Sequence, residues 1–124
     1  MKVLLNVIIG VLFCASCVFA QDVPTEVTRI YEGLMKATAE VDYEAFQKYT
    51  DPEFHPKLDQ EAFTKIAQAL TPVLKEGYES KFLTKIRQKG FDVFVWEMTP
   101  NTGEDQYLVK VVMKDGKASG FWMH

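Results

Sequence analysis

The apolar residues of this chain recur every three or four positions up to about residue 80 and every second position after it, and that change of period limits the fold more than any other feature. A period near 3.6 turns one face of a helix toward a core, and a period of two belongs to strands. Residues 24–40 read as the first helix, with Val27, Ile30, Leu34, Ala37 and Val41 on one face and Pro24 in the first turn, where its missing N–H costs nothing. Asp42 caps a short second helix over 43–49, whose apolar face is Ala45, Phe46 and Tyr49. Pro52 and Pro56 then hold residues 51–56 in a loop. Asp59 caps a third helix with Phe63, Ile66, Ala67 and Leu70 as its stripe, and Glu61 complements its dipole. Thr71-Pro72 is predicted to interrupt that helix, with Thr71 as a fresh N-cap, Pro72 as the first residue of one further turn and Gly77 as its end.

From residue 81 the pattern predicts four strands. In the first, Lys81, Lys85, Arg87 and Lys89 alternate with Phe82, Thr84, Ile86 and Gln88, so all four cations are expected on one face. Such a face could meet an anionic partner, or it could be a solvent-facing edge whose charges discourage sheet-to-sheet aggregation, the more general role. Residues 91–98 are apolar at positions of both parities, as in a central strand covered on both sides. Residues 100–105 form a turn, and residues 106–114 a third strand with Tyr107, Val109, Val111 and Met113 facing one way. Asp115-Gly116 is a two-residue hairpin signal. The last strand runs from Lys117 with a break, at a bulge, at Gly120. Helices first and strands after give an α+β domain, three N-terminal helices packed on a curved four-stranded antiparallel meander.

The first 20 residues have the look of an export signal. Lys2 is followed by an apolar run of about a dozen residues, too short for a comfortable membrane span. Val18-Phe19-Ala20 offers the small residues that a signal peptidase needs before Gln21. The expected protein is therefore a single domain over residues 21–124, exported to a periplasm or secreted. The alternative is a lipoprotein cut before Cys17 and anchored through it. Both cysteines, Cys14 and Cys17, fall inside the signal, so a domain cut after Ala20 has neither disulfides nor thiolate chemistry, and its core must carry its stability. Loss of Lys2 takes the 14 basic residues to 13 against 17 acidic ones, a balance of −4 that disfavours general nucleic-acid binding.

Residues with catalytic potential are few. His55, near Asp51, Glu53 and Asp59, is the only candidate base or ligand among the histidines apart from the terminal His124. No nucleophile elbow, P-loop, zinc-protease helix or dinucleotide fingerprint is present, and no cofactor is implied. The carboxylate pairs Asp51/Glu53 and Glu104/Asp105 sit in turns or on polar faces. Aromatic residues are abundant. Phe91, Phe94, Trp96, Phe121 and Trp122 fall in the strands, and Tyr31, Phe46, Tyr49, Phe54 and Phe63 in the helices and the loop that follows the second. Rings of this kind fill a core, and in a curved sheet they can also line an apolar cavity.

The segment Lys114-Asp115-Gly116-Lys117-Ala118-Ser119-Gly120-Phe121-Trp122, a charged turn, a glycine and then aromatic residues at the end of the chain, together with the order of elements over residues 25–124, resembles the nuclear-transport-factor-2-like superfamily within the cystatin-like α+β cone, and in particular its small exported bacterial members. That resemblance implies a cone that either holds a ligand or associates with a partner. Some members are ketosteroid isomerases and dehydratases, but their base and donor residues do not map onto positions of this chain, and fold alone does not carry activity. The Gln-x-Val-x-Gly segment of cystatins is also missing. The expectation is a non-enzymatic binding module for a small apolar ligand or a protein partner, with Tyr49, Phe54, His55, Trp96 and Trp122 as pocket residues, no metal, no membrane span after cleavage, and a homodimer among the assemblies it allows. The alternative is a small lyase or isomerase that uses a buried carboxylate or His55 as base.

Overall fold

Three helices, α1 (Thr25–Ala39), α2 (Tyr43–Lys48) and α3 (Gln60–Lys75), precede four strands, β1 (Tyr78–Gln88), β2 (Phe91–Pro100), β3 (Tyr107–Lys114) and β4 (Lys117–Met123). The structure, a computed structural model, describes residues 23–54, 58–103 and 105–124. The expected signal at 1–20 with its two cysteines, His55 and Glu104 lie outside the described residues. The strands form one open antiparallel sheet in the order β1-β2-β3-β4. The molecule is α+β, with its helices on one face of the sheet. Among the described residues no helix is long and apolar enough to cross a membrane.

Local chemistry explains most of the boundaries. The carboxylates of Asp42 and Asp59 accept from the backbone N–H of Ala45 (3.1 Å) and Ala62 (2.9 Å), capping α2 and α3 as expected. At the end of α1, Asp42 N–H donates to Ala37 O and Val41 N–H to Thr38 O, a Schellman closure with Val41 at φ 54° where glycine is the usual occupant. The β3–β4 hairpin turns on Asp115 (φ 51°) and Gly116 (φ 80°), and the β1–β2 hairpin turns in the same way on Lys89 (φ 53°) and Gly90 (φ 84°).

Two expectations are corrected. Helix α3 is not interrupted at Thr71-Pro72 but runs through Pro72 to Lys75. Continuing the helix carries the stripe of Phe63, Ala67 and Leu70 on to Leu74, which is buried, and that burial outweighs the bond that Pro72 cannot donate. The Thr71 hydroxyl reaches back to Ala67 O (2.8 Å) and to Ala39 O (3.2 Å), tying α3 to the end of α1 instead of opening a new helix. The four cations of β1 do not share a face either. The β1–β2 register slips between Phe82 and Thr84, so Leu83 is an extra residue. Lys81 pairs with Glu97 on the outer face, whereas Lys85 and Arg87 pair with Phe94 and Asp92 on the helix side, and Lys89 sits in the turn. β1 is an edge strand, and Arg87 uses its charge locally, 3.3 Å from Asp92. A second bulge leaves Ser119 unpaired beside Gly120.

The core lies between the helices and the inner face of the sheet. Ile30, Leu34 and Met35 of α1 meet Trp96, Met98, Val109 and Val111 there. Tyr31 stacks on Trp96 with ring centroids 4.1 Å apart, and its hydroxyl shares a 2.5 Å hydrogen bond with Ser80 of β1. Burial pushes the Tyr31 phenol up to about 12.

Helix α1 passes close to Tyr49 at Gly33, where an added Cβ would lie 2.3 Å from the Tyr49 ring. Tyr49 cannot simply retreat, because its carbonyl accepts from Ala118 N–H at 2.9 Å at the start of β4. Gly33→Ala is therefore expected to lower stability by about 1–3 kcal/mol despite the better helix propensity of alanine. In a Tyr49→Ala background the same substitution should raise stability by about 1 kcal/mol. Urea unfolding of the four proteins checks that reversal of sign.

Candidate functional site

Among the described residues, apolar side chains leave an opening between α3 and β4. Phe63, Ile66 and Leu70 follow one another at spacings of three and four, so they line one side of α3. Phe46 from α2, Thr38 from α1 and Leu58 from the segment before α3 close the back, and Phe121, Trp122 and Met123 of β4 form the opposite wall. The recess holds about 180 Å³. A cavity of about 150 Å³ lined by aliphatic and aromatic groups takes a benzene ring, so this one suits a single ring or a branched aliphatic group. Ile66 is 52 % exposed and Trp122 50 %, well above the other large apolar residues of the recess, and they mark its mouth.

The recess has almost no polar chemistry. Its one hydroxyl, on Thr38, donates to Leu34 O at 2.8 Å and has no proton to offer a guest. Among the described residues no charged group lines it. What this arrangement can do is take apolar surface out of water, at about 25 cal/mol per Å².

Trp122 also borders a second, mixed cleft of about 440 Å³, formed by Phe54, Phe91, Val112 and Ser119 with Asp51, Glu53, Lys89 and Lys114. Lys114 Nζ donates to Glu53 Oε1 at 3.0 Å and lies 3.8 Å from Asp51 Oδ2. The Glu53 carboxylate holds the Lys114 ammonium above its usual range. Asp51 Oδ2 is buried without a hydrogen-bond partner. Among the described residues no group of three or more histidine, cysteine or carboxylate side chains could hold a metal ion.

The pocket residues expected from the sequence separate. Trp122 lines both openings and Phe54 joins it in the cleft. Trp96 is 3 % exposed and sandwiched in the core against Tyr31, so it lines neither. Tyr49 lies over Gly33, beside a shallow hollow with Arg29, Lys48 and Lys117. His55 lies outside the described residues. Phe63, Ile66 and Leu70 read in sequence as an ordinary core stripe. Only the half-exposure of Ile66 sets them apart, and helical spacing does not carry that signal.

The chain matches no family model and no curated protein.

Proposed function

We propose that this chain is an exported, non-catalytic binding module that holds a small apolar ligand, or one apolar side chain of a partner protein, in the recess between α3 and β4. The observation that carries this reading is an opening of about 180 Å³ with apolar walls, no charged group among the described residues, and two large apolar side chains, Ile66 and Trp122, left half-exposed at its rim. The order of three helices followed by an antiparallel meander supports placing the domain near the cystatin-like, nuclear-transport-factor-2-like cones. The short positive start, the apolar run and Ala20 support export.

A lyase or isomerase would need a base facing its substrate, and the recess has none among the described residues. That second reading rests on Asp51, whose buried Oδ2 faces the adjoining cleft. It is the weaker one, because Lys114 already stands 3.8 Å from that oxygen.

The test is a thermal-shift screen with single-ring and short branched apolar compounds on the wild-type protein and on Ile66→Asp. A ligand at about 100 times its Kd should stabilise the wild type by about 2.7 kcal/mol. Ile66→Asp places a carboxylate at the mouth, and with Ile66 half-exposed it should cost the free protein under about 1 kcal/mol while abolishing the shift. Equal shifts in both proteins would contradict the assignment.

A further inference from the structure

Among the described residues, the helices cover one face of the sheet and nothing covers the other. Residues of β2 with even numbers, Phe94, Trp96 and Met98, belong to the core cluster that the helices share, whereas Val93 and Val95 do not. Val93 (4 % exposed) and Val95 (8 %) are shielded nonetheless, by their neighbours on the outer face. The cross-strand register puts Ile86, Phe91, Leu108 and Trp122 on that same face. These are four of the five large apolar side chains that the described residues leave exposed. The Trp122 ring lies across Gly120, where an added Cβ would be 2.5 Å from it, so the indole lies along the sheet and broadens the apolar surface. Concentration of exposed apolar groups on one open sheet face marks a contact surface.

We infer that this face pairs with a second copy of the same chain, about a two-fold axis that lies along the line from Val95 to Leu108. Four charged side chains lie on this face: Glu79 and Lys81 at its β1 end, where Lys81 stands opposite Glu97, and Glu97 and Lys110, both half-buried, in its middle. Neither Glu97 nor Lys110 forms an ion pair within the protomer among the described residues. Across β2 and β3, Val95 stands opposite Lys110 and Glu97 opposite Leu108. The four residues form a quadrilateral with the apolar pair on one diagonal and the opposite charges on the other. Rotation about the apolar diagonal lays Val95 on the partner's Val95 and Leu108 on the partner's Leu108. The same rotation carries Glu97 to within about 3 Å of the position over Lys110, a gap that their long side chains span, so each carboxylate meets the partner's Lys110 and two ion pairs form that the protomer lacks. A surface that becomes complementary to itself under a two-fold rotation is what an isologous interface requires. Two charges of each sign, Glu79 and Glu97 against Lys81 and Lys110, also leave nothing to attract a strongly acidic or strongly basic partner.

Strands lie about 4.8 Å apart and same-face residues about 6.8 Å apart along a strand, so this axis crosses the two sets of strands steeply, in the orthogonal class of sheet packing. The overlap is then about 20 Å on a side, roughly 400 Å² in projection before side-chain relief, against about 800 Å² of accessible surface per partner in a standard interface. That places the dimer at the small end, with dissociation in the micromolar range.

Sedimentation velocity of the purified protein from about 1 to 500 μM in low salt tests the pairing, with the melting temperature of each variant measured alongside. The wild type should move from monomer to dimer across that range. Lys110→Glu and Glu97→Lys should each weaken pairing at least tenfold by setting like charges together, and the double exchange Glu97→Lys/Lys110→Glu should return it to within about threefold of wild type. Leu108→Asp should be monomeric throughout. If that variant fails to fold, the charge exchange still decides the matter. A wild type that stays monomeric at 500 μM overturns the proposal, whatever else covers the face. So does a dimer indifferent to Lys110→Glu, or a double exchange that restores nothing. Trp122 belongs to both surfaces, but Ile66 belongs to the recess alone, so loss of the ligand shift in Ile66→Asp tests the recess whether or not the chain pairs.

Discussion

Alanine in place of Trp96 is expected to cost about 3–5 kcal/mol of folding stability, enough to unfold much of a domain of this size. The residue is 3 % exposed and packs against three rings: Tyr31 at 4.1 Å in parallel, Phe82 edge-on at 5.5 Å and Phe94 at 6.5 Å. Removing it leaves a hole beneath the middle of α1 that the surrounding β-sheet cannot close. Alanine in place of Trp122, half-exposed at the outer end of β4, is expected to cost under about 1 kcal/mol and to act on ligand binding instead. Urea denaturation of the two variants separates the roles of the two tryptophans. Comparable losses in both would mean that Trp122 is as much a part of the core as Trp96.

The second large effect is alkaline. Burial raises the Tyr31 phenol from 10 to about 12, and the same cause raises Tyr78. Below pH 10 the phenol is protonated in folded and unfolded chains alike, and the contact with Ser80 is intact. Between pH 10 and 12 the unfolded chain releases the proton while the folded one retains it, so stability falls as pH rises. Two pH units of difference amount to about 2.7 kcal/mol for Tyr31, lost progressively across that window. Tyr31→Phe gives up the 2.5 Å bond to Ser80 and should cost about 1 kcal/mol at neutral pH. It should also flatten the decline above pH 10, so the wild-type and variant curves approach or cross. Stability measured by urea unfolding at pH 8, 10 and 11 checks the sign. Parallel curves would show that Tyr31 does not hold its proton.

Much of the fold is legible in the sequence because local chemistry decides it. Asp42 and Asp59 cap helices where a short carboxylate precedes an amphipathic run, and Asp115-Gly116 turns a hairpin because both positions accept positive φ. What escapes a reading of the sequence is decided by distant partners. Nothing near Leu83 announces a bulge, yet that one residue exchanges the faces of β1 and separates Lys81 from Lys85 and Arg87. Pro72 argues for a break, and only the buried place waiting for Leu74 argues against it. The site is harder still. Aromatic residues adjacent in sequence are divided by strand parity: Phe94, Trp96 and Phe121 turn toward the helices, while Phe91 and Trp122 turn away from them. Composition counts those rings without assigning them to core or surface. The apolar stripe of α3 is equally silent, since a residue at the mouth of a recess and a residue in a core share the same helical spacing.

The binding account rests on the recess, and backbone amide chemical-shift mapping during a titration with toluene tests it most directly. Toluene, a single ring with one methyl group, has about the size that an opening of 180 Å³ accepts. The expected result is a saturable response confined to Phe63, Ile66, Leu70, Phe121, Trp122 and Met123 and absent in Ile66→Asp. A titration without saturation up to the solubility limit, or one whose shifts centre on the outer face around Ile86 and Leu108, would contradict it.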